Sequence, residues 1–252
     1  MTTLLPYLIV CPLVGIAGFV DAIAGGGGLI ALPAYLIAGV PVHAAIATNK
    51  ISSAMGMTAS TLRFARSGYI PWRQCLICLP FALLGAAAGA KLTLLISARI
   101  FTIFMLAVVP FAAWYVLRSP NLQREKDPFS PQKTVLRSIP IVLLLGAYDG
   151  FYGPGTGTFL LLFFTGVAHM SLHTAAGITK VLTLTTNLAA LAVFLWSGVP
   201  EVLLGLIAGC FGILGNYIGA KLFTEKGVRW IKPLILIVLA IFFVKLCMEL
   251  FF

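Results

Sequence analysis

Two lysines stand in otherwise apolar sequence, each seven residues after a histidine: His43 before Lys50, and His173 before Lys180. Seven residues is close to two helical turns, so each pair shares one helix face. A lysine at the centre of a membrane helix costs about 2.5–3.5 kcal/mol, so its retention points to function, unless the ammonium snorkels to the interface. An ammonium held there can donate hydrogen bonds to an oxyanion. Thr48 and Asn49 precede Lys50, Thr179 precedes Lys180, and Thr183, Thr185, Thr186 and Asn187 follow it. Their hydroxyls and amides are further donors. No acidic residue lies near His43 or His173 in sequence. They fit a position at the mouth of a site, and no metal or cofactor is expected.

The second chemical feature is a pair of glycine clusters. The first runs Gly18-Phe-Val-Asp21-Ala-Ile-Ala-Gly25-Gly26-Gly27-Gly28, with Pro33 beyond it. The second is Asp149-Gly-Phe-Tyr-Gly153-Pro154-Gly155-Thr156-Gly157-Thr158. Glycine is about 1 kcal/mol worse than alanine in a helix, so each cluster breaks one. Broken backbone at membrane depth is tolerated only against protein or a watery cavity. The half-helix that restarts there offers free N–H groups and a positive dipole end, which attract anions, and Thr156 and Thr158 add hydroxyls. Close helix packing is the other use of such glycines. Asp21 and Asp149 open the clusters. Each could accept from the broken-helix amides, pair with a lysine, or carry a coupled proton. No strand pattern precedes the glycines and no Gly-Lys-Ser/Thr follows, which excludes a nucleotide loop.

The elements that must position these groups are membrane helices. The chain has 252 residues, 60% hydrophobic and 10% charged, with a mean hydropathy of +1.05. A soluble domain carries about 25% charged residues. A water-soluble enzyme, a disordered regulator and a disulfide scaffold are therefore excluded. Apolar stretches run roughly over 4–41, 44–62, 74–97, 100–117, 138–168, 174–196, 202–223 and 233–252. The expected fold is an all-α polytopic membrane protein with about eight hydrophobic segments, the first and fifth broken at their glycine-rich turns.

The halves repeat. His43 and Lys50 match His173 and Lys180 at an offset of 130, and a G-x-x-x-G-A-K-L stretch at Gly85–Leu92 recurs at Gly215–Leu222. Asp21 and Asp149 match at 128. The expected organisation is a first transmembrane repeat over 1–117, a charged linker over 118–137 and a second repeat over 138–252. If both long segments are hairpins, Arg63, Arg66, Arg73, the basic residues of 118–137 and those of 221–232 share one side. That side holds twelve lysines and arginines against Lys91, Arg99 and Lys245 opposite. If they are single spans, the balance is nine against six. The hairpin reading gives the stronger positive-inside signal, a cytoplasmic linker and inverted repeats.

The formal charge of +10 is spread over loops that flank apolar runs, where it meets lipid headgroups rather than nucleic acid. The five cysteines lie inside apolar stretches and read as small buried hydrophobes. Spacings such as Gly85/Gly89 and Gly215/Gly219 can pack helices within one chain or in a homo-oligomer. No nucleophile–base pair or paired-carboxylate site appears, so no enzyme is expected.

The two glycine clusters, Leu32-Pro33, Ala47-Thr48-Asn49-Lys50 and Tyr148-Asp149 resemble the TauE/SafE family of sulfite and organosulfonate exporters over nearly the whole chain. The resemblance is closest to bacterial inner-membrane proteins known only as probable transporters. It implies multi-pass secondary transport of small sulfur-containing anions, outward and proton-linked. The second half departs from the first at Pro154, Thr156 and Thr179. The substrate-binding residues expected are Gly25, Gly26, Gly27, Gly28, Thr48, Asn49, Lys50, Gly155, Thr156, Gly157, Thr158, Thr179 and Lys180. Asp21, Asp149, His43 and His173 are expected in coupling or structural roles. Alternating access of the two repeats is the expected mechanism, with an anion channel and a non-transporting scaffold as rivals.

Overall fold

Glycine and proline divide the apolar sequence into eight described helices: α1 (Leu5–Ala24), α2 (Gly28–Ile37), α3 (Val42–Arg66), α4 (Trp72–Leu95), α5 (Pro131–Phe151), α6 (Thr156–Gly166), α7 (Leu172–Trp196) and α8 (Val202–Lys226). The computed structural model describes residues 4–97 and 127–226, with positions 99, 100, 103, 110, 240 and 244. No strand occurs among them. The expected stretches 100–117 and 233–252 and the linker up to residue 126 lie almost wholly outside the described residues.

Five of the described helices are long and apolar enough to cross a bilayer: α1, α4, α5, α7 and α8. Helix α3, of 25 residues, is as long but buries Thr48, Asn49, Lys50, Ser52 and Ser60. Its buried polar residues mark its first half as central, while Leu62 further along faces outward. Helices α2 and α6 have only 10 and 11 residues. At 1.5 Å per residue they cover about half of a ~30 Å hydrocarbon core. The outward surface is apolar: Leu76, Leu84, Leu144, Leu188 and Leu214 are exposed, as lipid contact requires.

Both glycine breaks form as expected. Gly25 (φ 74°) ends α1 in the left-handed region, its N–H donating to Asp21 O at 2.8 Å. The chain then doubles back so closely that a Cβ on Gly27 would sit 2.6 Å from Ala17 O. The second break turns through Gly153 (φ 103°) and Gly155 (φ 84°). Tyr148 then donates to Pro154 O at 2.8 Å and meets the Phe159 ring edge-on at 5.9 Å. The breaks touch: a Cβ on Gly25 would lie 2.4 Å from the carbonyl carbon of Gly157.

The glycine-spaced stripes are used within the chain. A Cβ on Gly85 or Gly89 of α4 would lie 2.4 or 2.0 Å from Leu143 O or Ala147 O of α5. A Cβ on Gly215 or Gly219 of α8 would lie 1.9 or 2.4 Å from Gly15 O or Phe19 O of α1. Each pair of helices is parallel, and the contacts recur at the offsets of 130 and 128. Helices α3 and α7 run antiparallel, with Thr61 donating to Lys180 O at 3.2 Å and Asn187 reaching Met57. Cys11, Cys75 and Cys78 are buried as expected, whereas Cys210 faces outward.

Candidate functional site

Lys50 and Lys180 are 1% and 4% exposed, so neither snorkels. Each reaches across to the other half. Lys50 Nζ donates to Asp149 O at 2.5 Å and to its Oδ1 at 3.1 Å. Lys180 Nζ donates to Asp21 O at 2.5 Å and lies 3.8 Å from its Oδ2. The two carbonyls belong to the last turns of α5 and α1, where the helix dipole is negative and a cation is favoured. A spatial exchange thus joins the matched residues: the lysine of each half holds the broken helix of the other. Gly153 has to lack a side chain, since a Cβ there would be 2.8 Å from Lys50 Nζ.

The two pairs differ in what surrounds the carboxylates. Asp149 Oδ2 accepts from the Thr186 hydroxyl and from Asn187 Nδ2, the latter at 3.2 Å. Asp21 Oδ1 accepts from Gly27 N at 3.2 Å, while its Oδ2 accepts no hydrogen bond. The first donor is a backbone amide freed by the glycine break, as a helix restart supplies. A buried carboxylate without its full set of donors is costly, so the first half is electrostatically the looser one.

Between the pairs lies a polar cavity of about 20 Å3, lined by both aspartates, Lys50, Asn49, Thr156 and the glycines 25, 28, 153 and 157. That is room for about one water molecule. Ser53, Met57, Thr183 and Asn187 complete the wall. Of these, Ser53 and Met57 lie three and seven residues after Lys50, on the lysine's own helix face. That spacing could have found them. Thr183 and Asn187 follow Lys180 by the same logic. Asn216, which lines a neighbouring cavity with Asp21, sits on α8 and no local spacing announces it.

Other expected residues are placed at the edge of this centre. The Thr48 hydroxyl accepts from the Glu201 amide at 2.8 Å, next to the start of α8. His43 Nε2 lies 2.9 Å from Ile96 O, joining the start of α3 to the chain after α4. The His173 ring packs against Tyr69 at 4.8 Å and Phe223 at 6.4 Å. Both histidines therefore fasten helix ends. Thr179 is buried beside Lys180, and its hydroxyl makes no hydrogen bond. Thr156 donates to Gly153 O at 2.7 Å and so holds the second break. Gly155 supplies its left-handed turn, and Thr158 is buried where the breaks meet, its Oγ1 3.8 Å from a Cβ on Gly26.

The family described as "Sulfite exporter TauE/SafE" matches residues 10–246. The chain belongs to this family. Relatives within reach of plain sequence comparison carry transporter names. "Probable membrane transporter protein ORF9" of Sinorhizobium sp is 38% identical over 88% of this chain and 85% of its own. A "Probable membrane transporter protein" of Haemophilus influenzae is 36% identical over 88% and 87%. "Probable membrane transporter protein YfcA" of Escherichia coli K12 is 31% identical over 92% and 86%. No solved structure matches the chain. With its apolar helices, this TauE/SafE chain is a multi-pass bacterial inner-membrane transporter and not an enzyme.

Proposed function

We propose that the chain is a secondary transporter of small sulfur oxyanions, sulfite or organosulfonates, working by alternating access of two inverted repeats around the two ion pairs. The observation that carries the reading is the exchanged pairing, Lys50 to the second broken helix and Lys180 to the first. Each ammonium is held by groups that an oxyanion could replace. Both lysines are engaged, so an anion has to displace a carboxylate or a helix-end carbonyl. A proton arriving on Asp21 or Asp149 would remove the negative charge that competes with the anion for the lysine beside it, which couples the anion to protons. The antiparallel α3 and α7 and the parallel pairs α1/α8 and α4/α5 are what repeats related by an in-plane two-fold axis would give. A cavity with room for about one water favours a closed intermediate over an open pore.

The test is flux in proteoliposomes under an imposed pH gradient, with sulfite, sulfate, thiosulfate, sulfoacetate and taurine offered in turn. Saturable uptake or release of one oxyanion is expected, with counterflow, and Lys50→Met and Lys180→Met should abolish it in protein that still purifies folded. Unchanged flux in both lysine variants would remove the lysines from the pathway. Non-saturating flux without counterflow would favour a channel.

A further inference from the structure

A second cavity of about 20 Å3 shares Asp21, Gly28, Asn49 and Ser53 with the first and is walled further by Gly27, Ser52 and Asn216. Two oxygens in its lining accept no hydrogen bond, Asp21 Oδ2 and Asn216 Oδ1. Asp21 and Asn216 are both more than nine-tenths buried. The amide of Asn216 is fixed in this orientation, because its Nδ2 donates to Gly212 O at 3.1 Å. The nearby hydroxyls do not fill the need. Ser52 Oγ donates to Asn49 O at 3.1 Å and accepts from Tyr35 at 2.9 Å. Ser53 Oγ points to Asn49 Oδ1 at 3.4 Å. Neither serine hydroxyl therefore donates to Asp21 Oδ2 or Asn216 Oδ1.

The other half shows how such a carboxylate is closed without an ion. Asp149 Oδ2 is capped by Thr186 and Asn187. At the offset of 130 those two positions are Gly56 and Met57, which bring no side-chain hydrogen-bond donor. Gly56 is required there for a different reason: a Cβ on it would lie 2.4 Å from Asn216 Nδ2. The counterpart of Asn216 is Ala86. Where the second half supplies two donors, the first supplies an extra oxygen and the room to seat it.

We propose that this cavity binds a sodium ion, held by Asp21 Oδ2, Asn216 Oδ1 and the neighbouring hydroxyl and carbonyl oxygens. The donors are all hard oxygens, which select a hard cation over a soft one. One carboxylate suits a single positive charge, since calcium sites gather several. Lys180 does not replace the ion. It gives its hydrogen bond to the Asp21 carbonyl and stays 3.8 Å from Oδ2. Sodium bound to Asp21 draws that carboxylate away from Lys180, which links cation occupancy to the freedom of a lysine. The site itself does not depend on which anion is carried.

The test is thermal unfolding of the full purified chain in detergent, in sodium chloride against equimolar potassium chloride and choline chloride. Sodium should raise the melting temperature saturably, while potassium and choline should not. Asn216→Ala should raise the half-saturating sodium concentration at least tenfold, as should Ser53→Ala if the first variant does not fold. Ser197→Ala, at the exposed end of α7, should leave it unchanged. Equal melting in all three salts overturns the site, as does a shift that follows pH alone, which would mean a proton or a water fills it. So does wild-type sodium saturation in both Asn216→Ala and Ser53→Ala. Sodium stabilisation without any oxyanion flux leaves the ion site standing and fails the transport substrate, so the two readings can fail separately.

Discussion

At the scale of single residues, the two ion pairs have the same composition and unequal support. Breaking a buried pair by removing one partner costs about 3–5 kcal/mol, because the remaining charge is stranded. How far it is stranded depends on what else it touches. After Lys50→Met, Asp149 keeps Thr186 and Asn187 as donors. After Lys180→Met, Asp21 keeps only the Gly27 amide on Oδ1. Lys180→Met should therefore lower the melting temperature more than Lys50→Met when both are measured in choline chloride. Asp149→Asn combined with Lys50→Met should cost less than the sum of the two single changes, since it removes both charges together. Melting curves of the four variants decide it, and equal losses at the two lysines would show that the carboxylate surroundings do not matter. The sequence carried half of this picture. Matching positions and the His-x6-Lys spacing placed a lysine on each central helix. Nothing in spacing says that Lys50 pairs with Asp149, 99 positions away. That pairing exists only because the broken helices of the two halves meet.

At the scale of elements, the glycines do two separable jobs, and some do neither. Helix α4 meets α5, and α8 meets α1, with backbone against backbone at Gly89 and Gly219. Loop glycines such as Gly39 (φ 85°) have open space around the missing Cβ and supply only a left-handed turn. Gly166 has neither constraint: its φ is not positive and nothing lies within 4 Å of its would-be Cβ. Alanine should sort them accordingly. Gly89→Ala and Gly219→Ala have to push two helices apart and should abolish or sharply lower the yield of folded protein. Gly39→Ala should cost about 1–2 kcal/mol for the left-handed conformation. Gly166→Ala, at the last turn of α6, should be neutral to within about 1 kcal/mol. Fluorescence-detected size exclusion and melting temperatures give the ranking, and a tolerated Gly89→Ala would mean that the α4–α5 seam is looser than drawn. The G-x-x-x-G pattern was visible in the sequence, but its partner was not. The same spacing serves a seam inside one chain or between two, and only the positions of α1 and α5 decide for the internal one. The stripes that left a homo-oligomer open are occupied within the chain.

At the scale of the whole molecule, the order of helix directions decides which loops share a side of the membrane. Helix α8 runs parallel to α3, with Ile51 beside Gly205 and Met55 beside Gly209, and parallel to α1. The starts of α1, α3 and α8 therefore lie on one side, and α2 returns to it from the break. Helix α4 then comes back, its end meeting the start of α3 through His43 and Ile96 O. By the same contacts α5 and α7 start on the opposite side, where α3 ends with Arg63 and Arg66 in its last turn. On this reading that side is the cytoplasm, because Arg63 and Arg66 at the end of α3 and Lys133 and Arg137 at the start of α5 fall on it, as the positive-inside rule requires. Two exposed serines test the assignment in cells of a cysteine-free variant. Ser130→Cys, just before α5, should react with an impermeant maleimide only after the membrane is opened. Ser97→Cys, just after α4, should react in intact cells. Both reacting from one side would refute the inverted arrangement of the halves, whereas the two reacting in the reverse sense would keep the arrangement and turn the molecule over. The fold would survive the second result, and only the assignment of its basic face to the cytoplasm would fall.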